Sequence, residues 1–330
     1  MKKSLLALAA LGAFAGAANA QTNVTIYGIA DAGLVREFGN GAPTSWKLTS
    51  GVRNGSRLGF KGSEDLGGGL SAVFQLENGF NIDTGTMGQG GLLFGRQAYV
   101  GLSSKTAGSV TFGRQYSPFF IAQDSIDPFG TGLAGALYNV MDTAVRINNS
   151  LKYSSANMGG FSADVLYGLG EVAGNSSASR TFGFSANYAN GPIFATLAHN
   201  NANDATDTNK KKLTMLGGTF DFGAAKVHAS YQIEKDDAAI DARDWLIGAS
   251  APLGAGSVMA SYIARNDRSA LNRDANQIAL GYVHNLSKRT NLYTSIARIK
   301  NDNGASFTVG NATEGGTTNK AFNVGVQHRF

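Results

Sequence analysis

Arg53, Arg57 and Lys61 recur at intervals of four, and Leu58 and Phe60 fall in the opposite phase of an extended chain. Cations in a row on one strand face attract anions and order water, but they do not by themselves make or break bonds. Glu77, in the register of Ser71 and Gln75, adds a carboxylate to the same wall. Three more acids, Asp124, Asp127 and Asp142, lie between Tyr116 and Val145, a connection of about thirty residues without strand periodicity. Irregular stretches that long are usually functional. This one carries Phe119, Phe120, Ile121, Ile126, Phe129, Leu133, Leu137 and Tyr138, apolar surface that has to pack against a wall. The chemistry implied is a field across a gap, with strand arginines on one side and loop aspartates on the other, sorting solutes by charge and dipole.

Bond-making chemistry finds little support. His199, His228, His284 and His328 fall on separate strands without a motif, and no Gly-x-Ser-x-Gly elbow accompanies the many serines. The chain has no Cys, and no histidine pair has metal spacing. Gly168-Leu-Gly170 lacks the strand-to-helix setting of a nucleotide fingerprint. Neither an enzyme nor a cofactor is expected. The formal charge is +5, or +3 without Lys2 and Lys3, and the basic residues are scattered, which argues against nucleic acid.

The elements that position these charges follow from the rest of the pattern. Lys2 and Lys3, the apolar run Leu5 to Ala17 and the small ending Ala18-Asn19-Ala20 are laid out as a secretory signal, so residues 1–20 are expected to be cleaved. Beyond them no stretch approaches ~18 apolar residues, so a membrane would have to be crossed by strands. Period-two alternation repeats throughout, as in Phe182, Phe184, Ala186 and Tyr188 against Gly183, Ser185 and Asn187. Turn signals divide it into sixteen strands near 23–36, 46–62, 69–81, 91–103, 108–116, 146–155, 160–168, 179–190, 192–202, 211–222, 223–236, 241–251, 255–266, 273–284, 289–300 and 319–330. Short connections such as Asn190-Gly191 alternate with long polar ones such as Asn200 to Lys210 and Asn301 to Thr318. Lipid offers backbone groups no hydrogen bonds, so every strand needs two neighbours, and an even number closes without an edge. A sandwich shares the alternation, but at this length it would need a thick continuous core. The expectation is an all-β transmembrane antiparallel barrel over 21–330, with short periplasmic turns, long outer loops and loop 117–145 folded inward.

The final strand has Phe322, Val324, Val326, His328 and Phe330 in one phase, which resembles the assembly signal read by the barrel assembly machinery. Four motifs then carry a wider likeness. They are Gln21-Thr-Asn-Val-Thr-Ile-Tyr-Gly-Ile-Ala-Asp-Ala-Gly, Ser56-Arg-Leu-Gly-Phe-Lys-Gly-Ser-Glu-Asp-Leu-Gly-Gly-Gly-Leu, Phe94-Gly-Arg-Gln-Ala-Tyr-Val-Gly-Leu and Phe112-Gly-Arg-Gln-Tyr. In this order and spacing they resemble the general diffusion porins of Gram-negative bacteria, in a branch whose members are often anion-preferring. The resemblance implies a homotrimer in the outer membrane, among its lipids and lipopolysaccharide, passing ions and small hydrophilic solutes. It places a basic ladder on Arg57, Arg96, Arg114 and Arg146, which Arg53 extends, facing Asp124, Asp127 and Glu77. One departure stands out: the loop reads Asp127-Pro128-Phe129-Gly130 where the family has a Pro-Glu-Phe-Gly type motif, so the acid precedes the proline. Small residues Gly28, Ala30, Asn54 and Ser56 are expected on the outer face toward a partner subunit. Trp245, Ile247, Tyr262, Ile278, Leu280 and Tyr282 are expected toward lipid. The rival with the same architecture is a sugar- or carboxylate-specific channel, and a purely structural barrel comes third.

Overall fold

A computed structural model describes residues 23–39, 42–309 and 319–330; the expected signal segment 1–20 lies outside them. The strands are β1 (Asn23–Gly39), β2 (Ala42–Ser50), β3 (Arg57–Gly67), β4 (Leu70–Gly79), β5 (Gln97–Ser104), β6 (Gly108–Tyr116), β7 (Arg146–Ser154), β8 (Phe161–Gly168) and β9 (Thr181–Asn190). They continue as β10 (Ile193–Asn203), β11 (Lys210–Asp221), β12 (Lys226–Lys235), β13 (Asp241–Leu253), β14 (Gly256–Asp267), β15 (Ala275–Asn285), β16 (Thr290–Asn301) and β17 (Lys320–Arg329). From β3 onward each pairs antiparallel with the next, and β17 returns to β1 from Ile29↔Arg329 to Phe38↔Lys320. No edge is left open to lipid.

Seventeen segments make sixteen barrel strands because β2 and β3 are two halves of one. Ser50 to Ala42 runs along Ala32 to Gly39, and Ser63 to Arg57 runs along Asn23 to Ile29. The expected continuous strand 46–62 is thus broken at 51–56. Gly51 opens the break at φ +68°, where a Cβ would lie 2.7 Å from Gly55 Cα. Asp31 holds it: its carboxylate accepts the Arg53 and Asn54 amides at 3.4 and 3.1 Å.

Two expectations about the outer face change here. Ser56 is buried, its hydroxyl donating to the Asp31 carbonyl, and Asn54 accepts from Gln327 of β17, so neither faces a partner subunit. Gly28 is packed by its own chain, since a Cβ there would run into the Phe330 ring. Of the residues expected toward lipid, Trp245, Ile247, Tyr262, Ile278 and Leu280 are exposed in outward phase, whereas Tyr282 is half-buried, its hydroxyl donating to the Leu253 carbonyl at 3.1 Å.

Loop 117–145 folds into the barrel and supplies the apolar core. The expectation of no regular structure fails over its first turns, where α1 (Pro118–Ile126) forms. Ser117 caps it by accepting the Phe120 amide, and Pro118 occupies the first turn, where its missing N–H costs nothing. Phe119, Ile126, Phe129, Leu133 and Leu137 are buried against the wall. Glycines make room for them: a Cβ on Gly217 of β11 would meet Ile126 at 2.5 Å, on Gly248 of β13 Pro128 at 2.7 Å, and on Gly281 of β15 Phe129 at 2.8 Å. Polar wall residues fix the backbone. His228 Nδ1 contacts the Ile126 carbonyl at 2.7 Å, Gln277 donates to the Gly135 carbonyl at 3.0 Å, and Ser295 accepts the Ala134 amide at 2.9 Å.

Candidate functional site

The inward-folded loop leaves a gap against β3 to β7. Register places Arg57 opposite Gly79, and Glu77 opposite Gly59, on the inner face. Glu77 is buried, and its carboxylate accepts from Arg96 Nε at 2.8 Å and from the Tyr27 hydroxyl at 2.8 Å, with Arg57 Nη1 at 3.8 Å. Tyr116, at the end of β6, accepts from Arg96 at 2.6 Å and from Arg146 at 2.8 Å. The guanidinium of Arg146 lies 4.6 Å from the centroid of that tyrosine ring. The ring also stacks on Phe120 of α1, at 5.1 Å and 17°.

Of these groups, Arg57, Arg96, Tyr116, Phe120 and Arg146 border a cavity of about 530 Å³. Arg53, Arg57, Arg96 and Arg146 form one side, and Asp124, Ser125, Thr131, Tyr138 and Thr143 face them from the loop. Asp124 supplies the lining's single carboxylate among the described residues, and it accepts from the Thr131 hydroxyl at 2.6 Å.

Three sequence-derived positions fall elsewhere. Asp127 does not face the gap: it is buried inside the loop and caps the amides of Phe129, Thr131 and Leu137 at 3.0, 3.1 and 2.9 Å. With the acid before Pro128, its side chain turns back on the loop's own backbone. Burial pushes its carboxyl up to about 7 against the pull of those three amides, and burial, with a smaller contribution from the Asp127 charge, holds the Tyr138 phenol up at about 12. Glu77 belongs to the arginine wall and not to the acidic side. Arg114 lies opposite Ala98 in the outward phase of Phe112, bonded to the Gly95 carbonyl at 2.8 Å, and does not line the cavity. Arg53 does line it, but from the break after β2, not from a strand face shared with Arg57 and Lys61.

Sequence reasoning missed Tyr116, the residue on which the Phe112-Gly-Arg-Gln-Tyr motif ends. It also missed the second charge cluster, behind the loop. There Glu234 and Asp244, both buried, meet Arg265 at 2.7 and 3.2 Å, and Lys211 bridges Glu234 at 3.3 Å and Asp142 of the loop.

A closed barrel with an inward loop and a charged gap is the anatomy of a pore, and a model of the Gram-negative porin family matches residues 7–304. The chain belongs to that family. It is similar to outer membrane porin protein 32 of Delftia acidovorans, 36% identical over 357 residues and covering 100% of both chains. It is also similar to an outer membrane porin protein of Bordetella pertussis, 33% identical over 399 residues with the same coverage. Among solved structures, an anion-selective porin from Comamonas acidovorans superimposes with TM-score 0.77 at 30% identity, covering 94% of this chain and 100% of that one. A Salmonella typhi OmpF, at 18% identity and TM-score 0.72, shares the fold. The protein is accordingly an outer-membrane porin, a channel and not an enzyme. No helix among the described residues is long and apolar enough to cross a membrane; the strands cross it.

Proposed function

We propose that the gap between β3 to β7 and loop 117–145 is the constriction of this porin, and that it gives passive diffusion a weak anion preference. The observation that carries this is the imbalance of the lining, four arginines against Asp124. Confined between low-dielectric walls, such an excess concentrates anions at the narrowest point and orients dipolar solutes. The likeness to an anion-selective porin supports the sign. The test is the zero-current potential of the refolded protein in a planar bilayer under a potassium chloride gradient. Anion preference is expected, reduced several-fold in the pair Arg57→Gln with Arg96→Gln; cation preference of the unmodified channel overturns the reading.

The same reading takes residues 1–20 as a cleaved signal, Phe330 as the contact for the assembly machinery, and outer-leaflet lipids, including lipopolysaccharide, as surroundings. It includes a homotrimer joined across the outer faces of β1 to β5, where Val24, Ile26, Leu58, Val100 and Leu102 are exposed. Cross-linking of the folded protein in detergent tests the trimer. A channel dedicated to one sugar would need luminal aromatic faces in a row. Here Tyr27 and Tyr99 spend their hydroxyls on Glu77 and Gln75. Solute flux rising linearly with concentration is expected, and saturation would favour the dedicated channel.

A further inference from the structure

Along the constriction wall, donors and acceptors alternate in the order Arg57, Glu77, Arg96, Tyr116, Arg146. The two acceptors differ in kind. Glu77 is a carboxylate and cancels one positive charge, whereas Tyr116 is a neutral phenol and cancels none. A phenol oxygen has two acceptor sites, and Arg96 and Arg146 take them at 2.6 and 2.8 Å. Arg146 depends on this contact. Its Nε is buried with no partner, and among the described residues no carboxylate is paired with it. Without an acceptor between them, two neighbouring guanidinium groups repel and separate. A carboxylate in the same place would hold them together but remove half of their combined charge.

We propose that Tyr116 is a positioning residue for ion selectivity, holding Arg96 and Arg146 side by side at the constriction through a neutral acceptor so that the wall keeps its excess positive charge. The stack on Phe120 registers this pair against α1, so one side chain sets both the arginine row and the near edge of the loop facing it. The inference rests on the constriction reading above.

The test is the substitution Tyr116→Phe, which keeps the ring, its stack on Phe120 and its contact with the Arg146 guanidinium, and removes only the acceptor oxygen. No charge is changed, so a wall that acts by charge count alone shows the same zero-current potential. The expected result is an anion-to-cation permeability ratio lowered about twofold, with heat stability of the refolded protein unchanged. In an Arg146→Gln background the same substitution is expected to have less than half that effect, because the residue acts through Arg146. An unchanged ratio in Tyr116→Phe, with or without a loss of heat stability, overturns the proposal, as does an undiminished effect in the Arg146→Gln background. Arg96→Gln is the control that separates the two readings. If it shifts the potential and Tyr116→Phe does not, only the role of Tyr116 falls; if Arg96→Gln shifts nothing, the constriction reading falls and this one with it.

Discussion

On the wall of β3 to β7, Arg57 and Arg96 share one buried carboxylate, Glu77, Arg146 donates to the neutral Tyr116 hydroxyl, and all three arginines face open space. Behind the loop, on β11 to β14, Glu234, Asp244 and Asp142 close on Arg265 and Lys211, and Glu234 and Asp244 are fully covered. Both clusters set carboxylates against basic side chains. The first leaves positive charge in excess next to solvent, where it acts on whatever passes; the second ties each of its carboxylates to a cation, mostly under cover, and braces the loop through Asp142. A salt bridge beside a pore therefore says little about selectivity until the balance and exposure of its members are known.

Breaking the bracing cluster should have the largest effect. Arg265→Met leaves Asp244 buried without its salt-bridge partner and Glu234 with Lys211 alone, and a loss of about 3–5 kcal/mol is expected in chemical unfolding of the detergent-solubilised protein. Crowding the loop's seat comes next. In Gly248→Val the new side chain runs into Pro128, costing about 1–3 kcal/mol and pushing the loop toward the lumen, which single-channel recording reads as lower conductance.

A third test uses pH. Asp127 ionises at an ordinary value of 3.8 when unfolded and at about 7 in the folded loop, so between these the folded state holds the extra proton. Its contribution is complete below about pH 4, declines as pH rises toward 7 and then levels. Hydrogen exchange at the Thr131 and Leu137 amides should follow that course, and Asp127→Asn should flatten it.

On the exposed wall, Arg146→Gln is expected to move stability by no more than about 1 kcal/mol, since no carboxylate is orphaned, while lowering the permeability ratio about twofold. The smallest effect belongs to Arg114→Gln, whose zero-current potential should match that of the unmodified channel. A clear shift there would mean that charge outside the cavity contributes to selectivity.

The barrel was legible because inward and outward phases differ in chemistry along every strand, and strand ends such as those of β6 and β7 fall within a residue or so of the turn signals. Arg57 was legible for the same reason, with Leu58 and Phe60 marking the opposite face. Arg114 was open to the same argument, because it shares the parity of the outward Phe112, and motif matching overrode it. Arg53 was misplaced because alternation was extended through Gly51 and Gly55, two glycines four residues apart that mark the break. Asp127 and Tyr116 depend on how a loop folds back over a wall far away in sequence, and no local period encodes that.

Asp31 also joins distant parts of the chain. Besides the amides of Arg53 and Asn54 it accepts from Tyr293 at 2.7 Å and from Gln327 at 3.0 Å, on the two strands that complete the cylinder. Pairing β1 with β17 closes a loop of nearly the whole chain, the entropically slowest contact in the molecule. Arg53 is therefore held in place by the same carboxylate that fastens the seam. Closure of the cylinder and the seating of the Arg53 backbone beside the gap thus meet at a single side chain.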